Sequence, residues 1–501
     1  MTAAVVSTDP RTGESVPVAP PTTDAEVEQT TRAAADAAAG LEALGRSGRA
    51  ELLRAAAARL EANGSEIVAT ADLETAIGPD RLKGELARTT YQLRMFAEVA
   101  EEGSYLEATI DHAGDTPMGP GPDLRRMLVP LGPVAVFGAS NFPLAFSVPG
   151  GDTASALAAG CPVVAKAHES HPATSLLAHR ALREAAEQVG APEGTVGIVL
   201  GREAGARLVA DPRITAVGFT GSLSGARALQ RIIDDRPDPI PFYGELSSIN
   251  PLVVTEAAAA ARGAAIAEGL VGSFTMAAGQ LCTKPGLAFV PVGAAGDALV
   301  ARMAELVADA PAKPLLNARI HESYAEIGGR LAGLDGVEVA GRGATDGTGF
   351  AAGAALLTVA AADLRPEVAQ ECFGPIAIAV RYDGTDDLLH ALRALPSSLA
   401  AAVHAEESDD LDALLAVLRT RAGRVLFDGY PTGVLVAWAQ THGGPWPSTN
   451  TVHTSVGPTA IRRFLRPLTW QNAPERVLPP ELRDAGPAIP RRIDGVLRLP
   501  R

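Results

Sequence analysis

An α/β fold built on parallel sheets is predicted by two features of the sequence. From Val134 the chain alternates short apolar segments with helical ones: VAVF, an Ala-rich run, PVVAK, a helix from about Pro172 to Val189, then VGIVL and TAVGF. A second alternating region opens near Pro251. Short apolar strands separated by helices of this length join through right-handed βαβ crossovers, giving a parallel sheet covered on both faces.

Ahead of the first sheet, residues 24 to 63 carry Ala, Leu, Val and Ile at helical spacing. Interruptions near Gly40 and Gly45 predict a pair of helices that serve as scaffold. In open α/β sheets, ligands gather beyond the carboxyl ends of the strands. That rule picks out Asn141, Lys166 and Gly221, each at or just past such an end. The second alternating region carries Cys282 and Glu371 and is expected to form a separate catalytic domain. From about Ser455 the tail is rich in Pro and Arg, reads as irregular, and is expected to pack on a partner. No internal repeat is present.

The chain has 501 residues, more than one hydrophobic core supports, so two or three domains are expected. Apolar residues make up 47% and charged residues 20%, the balance of an ordinary globular chain. A formal charge of -15 with no cluster of Lys and Arg disfavours nucleic acid as a partner. The start, MTAAVVSTDPRTGE, has no basic segment followed by an apolar one. No stretch approaches the roughly 18 apolar residues of a membrane span, so a cytoplasmic protein is expected. Three cysteines, Cys161, Cys282 and Cys372, are too few for a disulfide framework and are expected to be reduced.

Cys282 lies in FTMAAGQLCTKPG, among small residues that leave its thiol approachable, after a helical run from about Ala257 to Gln280. As a nucleophile it needs a thiolate and a nearby group that handles protons; a cysteine taken alone is more often a small buried hydrophobe. Glu245, in PFYGELSSINP, has apolar and small polar neighbours. Burial there raises a carboxylate's pKa and suits it to act as a general base, while the plainer alternative is an exposed or paired Glu.

Asn141, in VAVFGASNFPLAF, follows a strand and a tight turn, and Pro143 suits the opening of a helix. Its amide can donate to an oxyanion or cap that helix. In AVGFTGSLSGARAL a strand ends at Phe219 and a helix begins near Ser222, a setting that favours an anion. VEVAGRGATDG misses the spacing of a dinucleotide fingerprint. His168 and His171 have a metal-like spacing, but no further pair completes a site, so no metal is expected. Lys166 ends an apolar strand, where an ammonium needs a partner.

Taken in order, SNFP, CPVVAK, FTGS, the Glu motif, the Cys motif and ECFGP resemble the aldehyde dehydrogenase superfamily nearly end to end. The resemblance implies a Rossmann-type parallel-sheet cofactor domain, an α/β catalytic domain and a small oligomerisation β-flap. Residues 1-106 and 130-250 are expected to bind NAD(P), 251-454 to form the catalytic domain, and 107-129 with 455-501 to mediate oligomerisation. It further implies that Cys282 attacks an aldehyde, that Asn141 and the Cys282 amide hold the oxyanion, and that Glu245 activates the water that hydrolyses the thioester. Lys166 and Glu169 match positions at the adenosine ribose, Gly221 and Ser222 at the pyrophosphate, and Glu371 and Phe373 at the nicotinamide ribose and ring. The partners implied are a small-molecule aldehyde and further copies of the chain, as a homodimer or homotetramer.

GASNFPLAFSV, KAHESHP, ELSSINP, PTGV and HGGPWP resemble the branch that oxidises 2-oxoglutarate semialdehyde to 2-oxoglutarate; a medium- or long-chain aldehyde dehydrogenase is the alternative. Ala226, where the superfamily usually has Gly, and the run that follows PTGV in PTGVLVAWAQ depart from the pattern. The coenzyme is NADP or NAD: a carboxylate at Glu169 accepts from a ribose 2′-OH and repels a 2′-phosphate, but relatives in this branch often prefer NADP. Phe142, Trp446 and Phe274 are candidates to line the substrate pocket, and Arg462 or Arg463 to meet a substrate carboxylate. A thiol esterase, or a binding protein that kept the fold without the chemistry, are the competing readings.

Overall fold

A computed structural model describes residues 4–500. Two parallel sheets organise it, as the alternating sequence predicts. The first is five-stranded, in the order Phe242–Glu245, Ala216–Thr220, Val134–Phe137, Val163–Lys166, Val196–Val199, and every pairing is parallel. Alternate residues point to opposite faces of a strand. Val134, Val136, Val163 and Ala165 therefore enter one core with the N-terminal helices, while Ala135, Phe137, Val164 and Val217 enter another on the reverse face.

The second sheet has seven strands, ordered Val337–Arg342, Ala355–Ala360, Ile376–Tyr382, Leu287–Pro291, Leu252–Val254, Ser398–His404, Ala422–Phe427. Only the Val337–Arg342 edge strand is antiparallel. Its alternation is the same: Val253, Leu287 and Phe289 lie in one core, Leu252, Val254, Ala288 and Val290 in the other. The fold class is that of the expectation, α/β with parallel sheets.

Three local expectations need correction. The N-terminal helix Asp24–Ala43, capped by a reciprocal Thr23 and Glu26 box, runs through Gly40, and the joint with Gly45–Ala62 falls at Leu44. Gly40 serves packing: a Cβ there would come within 2.5 Å of the Pro192 ring. The residues after Asn141 form turns, and the next helix begins at Gly151, so Pro143 opens no helix. Third, the C-terminal tail is not irregular. Leu465–Gln471, Arg491–Ile493 and Val496–Arg498 join Thr109–Asp111 and Leu124–Pro130 in a five-stranded sheet. Pro467 in the outer Leu465–Gln471 strand is compatible with an edge, where a missing N–H is tolerated. Among the described residues, no helix is long and apolar enough to cross a membrane.

Candidate active site

The carboxyl ends of the first sheet's strands lie side by side: Phe137 pairs with Lys166, and Thr220 with Glu245. Along that edge opens a cavity of about 880 Å³, which Asn141, Ser222, Glu245, Cys282, Glu371 and Phe373 all help to line, with Gly221. Residues up to 232 positions apart in the chain, from Asn141 to Phe373, thus converge on one space of the size that small-molecule sites occupy.

Cys282 reaches the cavity through a strained approach. The preceding helix, Glu256–Thr275, stops short of the expected Gln280, and Met276–Gly279 makes a tight turn in which Ala277 (φ 51) and Ala278 (φ 54) are left-handed. Such residues cost about 1–3 kcal/mol each, and Ala is the smallest side chain that bears the conformation. Gly279 (φ 67) follows; a Cβ on it would lie 2.1 Å from the Gly374 carbonyl oxygen, so this turn and the ECFGP loop touch through backbone. Lys284 fixes the loop from beneath, its buried ammonium donating to the carbonyls of Cys372 (2.7 Å), Gly374 (3.0 Å) and Ile376 (2.8 Å).

A buried acid–base cluster surrounds the thiol. His442 Nε2 lies 3.6 Å from Cys282 Sγ and 2.7 Å from Glu245 Oε1, and Ser455 Oγ donates to Glu245 Oε2 at 2.6 Å. His442 and Glu245 are 1% and 2% exposed, so the bond between them is not screened by water. Burial pushes the Cys282 thiol far above its ordinary value, and the Glu245 carboxylate pushes it further; the resting group is a thiol. For Glu245 the outcome is opposite to the expectation. Burial raises its pKa, but His442, Ser455 and Cys282 together outweigh burial and hold it below the ordinary carboxylate value. The carboxylate is therefore ionised throughout the neutral range.

Asn141 caps no helix. Its buried Nδ2 donates to the Gln280 carbonyl at 2.7 Å, leaving one amide hydrogen for the cavity it shares with Cys282. Ser222 caps the helix Leu223–Asp234, its Oγ accepting from Gly225 N at 3.2 Å, and Gly221 N donates to the Glu245 carbonyl at 3.0 Å. Ala226 is fully buried in that helix's first turn without disturbing it. Glu371 is pushed up to about 7 by burial, against the pull of Ser247 and Lys284.

Lys166 and Glu169 form an ion pair at the end of the Val163–Lys166 strand; neither lines the cavity, which His168 reaches instead. His168 and His171 stack on each other with ring centroids 5.3 Å apart, and His171 Nε2 meets the Ala139 carbonyl at 3.0 Å, so they brace a turn.

The pocket candidates divide. Phe274 is fully buried in the second sheet's core and lines nothing; Phe142 stacks edge-on with Phe146; Trp446 is half exposed over Arg227. Arg463 is buried in an ion pair with Asp152 and Arg462 pairs with Glu107 at 3.0 Å, so neither is free for a substrate. The sequence reading missed His442, Ser455 and Lys284. His442 stands 197 residues from Glu245, and its only sequence signal is a histidine beside two glycines.

Comparison with known proteins agrees with this geometry. The family model described as "Aldehyde dehydrogenase family" matches residues 2–467. Alpha-ketoglutaric semialdehyde dehydrogenase 2 of Azospirillum brasilense is 46% identical over 499 residues, covering 97% of this chain and 95% of that protein. Alpha-ketoglutaric semialdehyde dehydrogenase of Acinetobacter baylyi is 42% identical over 480 residues, covering 94% and 91%. Among solved structures, a 1-pyrroline-5-carboxylate dehydrogenase from Thermus with bound NAD superimposes with a TM-score of 0.80 at 22% identity, covering 94% of this chain and 90% of that one. At that identity the likeness concerns the fold alone. With a family model spanning nearly the whole chain and relatives this similar over their full length, the protein belongs to the aldehyde dehydrogenase family, the NAD(P)-dependent oxidoreductases of aldehydes.

Proposed function

We propose that the protein oxidises 2-oxoglutarate semialdehyde to 2-oxoglutarate through a thioester on Cys282. The observation that carries the chemistry is the buried cluster of Cys282, His442 and Glu245 at one end of the large cavity. The substrate rests on the two relatives named for it, at 46% and 42% identity.

Cys282 Sγ bonds to the aldehyde carbon as its proton passes to the Glu245 carboxylate, the ionised acceptor of the cluster. Asn141 Nδ2 and the Cys282 backbone amide hold the oxygen that becomes negative; one such donor contributes about 10²–10³ in rate. The nicotinamide supplies the hydride acceptor when bound. After that proton has passed on to solvent, Glu245 takes a second one from the water that hydrolyses the thioester and returns it to the departing Cys282 sulfur, while His442 and Ser455 keep its carboxylate aimed and charged.

The residues present fit a dinucleotide. The helix N-terminus at Ser222 offers free N–H groups to the pyrophosphate, Arg227 and Arg231 line the same cavity, and Glu371 with Phe373 stands where a ribose and ring can rest. Lys166 and Glu169 take the adenosine ribose. Glu169, held ionised against burial by Lys166, accepts from a 2′-OH and repels a 2′-phosphate, so NAD is the preferred coenzyme. In domain terms, 1-106 and 130-250 bind the coenzyme and 251-454 carry the thiol. Residues 107-129 and 455-501 join copies into a homodimer or homotetramer, through a sheet whose terminal strand exposes Val496 and Leu497.

The test is coenzyme reduction, followed by absorbance, with 2-oxoglutarate semialdehyde, glutarate semialdehyde, succinate semialdehyde and hexanal, each with NAD and NADP. A kcat/KM preference of about a hundredfold for the oxo-acid aldehyde, lost in Cys282→Ala, is expected. Equal or faster turnover of hexanal overturns the substrate assignment and favours a fatty aldehyde dehydrogenase.

A further inference from the structure

Outside the large cavity, two guanidinium groups close on one loop, residues 431–434. Arg88 Nη2 donates to the Val434 carbonyl at 3.3 Å, and Arg424 Nη1 and Nη2 donate to the carbonyls of Gly433 (2.9 Å) and Pro431 (2.5 Å). Each retains a buried nitrogen with no partner: Nη1 of Arg88 and Nε of Arg424. Among the described residues, neither forms an ion pair with a carboxylate, unlike the buried Arg463, which has Asp152. A half-buried cation with an unpartnered nitrogen is costly unless an anion joins it.

Arg88 leads from that loop to the nucleophile. Arg88 lies 4.8 Å over the Phe146 ring, that ring is 6.1 Å from His442, and His442 contacts Cys282 Sγ. A thiolate at Cys282 would act on both guanidinium groups, and the Glu245 carboxylate acts on Arg88. One helical face earlier, Arg81 stacks on Phe142 at 4.8 Å and donates to the Asn141 carbonyl, with its own Nη1 unpartnered. Glu85, between Arg81 and Arg88 on the helix Pro79–Glu102, is engaged elsewhere: its Oε1 accepts from the backbone of Leu144 and Ala145. Burial raises its pKa, so it offsets the neighbouring cations only in part.

We propose that Arg88 and Arg424 form an anion subsite that takes the carboxylate at the far end of the aldehyde substrate. This deepens the assignment to 2-oxoglutarate semialdehyde and rests on it. In that five-carbon chain the carboxylate and the carbon that Cys282 attacks are the two ends, so one occupant fills both positions. Planar guanidinium forks match a carboxylate, and the loop they hold is PTGV, one of the motifs by which this chain resembles the 2-oxoglutarate semialdehyde branch. The three guanidinium groups also give an aldehyde without a carboxylate no compensation for their burial, which disfavours fatty substrates.

The subsite can be tested apart from turnover. Protection of Cys282 from alkylation is titrated with 2-oxovalerate and with 2-pentanone, which share a chain and differ only in a carboxylate replacing a methyl. A hydrogen bond to a charged group corresponds to about ten- to a hundredfold in affinity, so 2-oxovalerate is expected to protect at least tenfold more tightly, and Arg88→Gln or Arg424→Gln to erase the difference. Equal protection in the wild-type protein overturns the subsite even where a variant fails to fold. In kinetics, the ratio of kcat/KM for the oxo-acid aldehyde to that for hexanal should fall about ten- to a hundredfold in either variant. A wild-type preference for hexanal refutes the substrate assignment, whereas a preference for the oxo-acid aldehyde that survives both substitutions refutes the subsite alone.

Discussion

Replacing His442 with Ala removes one of the three side chains that hold Glu245 ionised in a site closed to water. The bond is 2.7 Å long, and its partners are 1% and 2% exposed. A hydrogen bond to a charged group contributes about 1.5–3 kcal/mol, and 1.36 kcal/mol corresponds to one pH unit of protonation equilibrium. Without His442, burial dominates and the Glu245 carboxyl binds its proton more tightly, by about one to two pH units. The sign follows from the native state: the carboxyl is held below its ordinary value, so the base is competent above that low value and lost only as pH falls through it. In His442→Ala the loss begins at higher pH, and the acid limb of the kcat profile moves up by about one to two units. His442→Gln, which keeps a donor, should move it less. The assay is kcat against pH from 5 to 9 with saturating aldehyde and coenzyme. A lower plateau with an unmoved acid limb refutes the reasoning, because it leaves His442 only a packing role.

Three further outcomes follow from the same geometry. Asn141→Ala should lower kcat by about 10²–10³ with little change in coenzyme affinity, measured by steady-state kinetics and coenzyme titration. Glu371, pushed up to about 7, is neutral below that pH and ionised above it; if its carboxylate accepts from the coenzyme, the coenzyme KM should fall as pH rises through 7, and Glu371→Gln should flatten the dependence. The donor atoms of Glu245, Cys282 and His442 lie within 4.8 Å of one another, a set that suits tetrahedral Zn²⁺. Micromolar Zn²⁺ should therefore inhibit turnover, and a chelator should restore it.

Most of the fold was legible because its two parallel sheets write themselves as continuous apolar runs: VAVF is buried at every position, as is the Ser398–His404 strand. The third sheet was hidden, since strands such as Val496–Arg498 are exposed at every residue and lack an apolar alternation. At the site, Cys282, Glu245 and Asn141 could be found because each follows a strand or helix signal in a distinctive local motif. His442 could not, because what defines it is the company of Glu245 and Ser455, in segments brought together only by the fold. For the same reason the direction of the Glu245 shift was misjudged: burial was readable from its neighbours in sequence, and the donors that overcome burial were not. Arg462 and Arg463 were plausible carboxylate partners until the structure showed each already paired.

The most direct measurement is the mass of the protein acid-quenched within its first turnover, with 2-oxoglutarate semialdehyde and coenzyme present. An acyl adduct of the oxidised substrate should appear on the peptide that carries Cys282 before free 2-oxoglutarate does. Reduced coenzyme should form in equal amount, and Cys282→Ala should show neither. Coenzyme reduction without an adduct, or an adduct on Cys161 or Cys372, would contradict a thioester on Cys282.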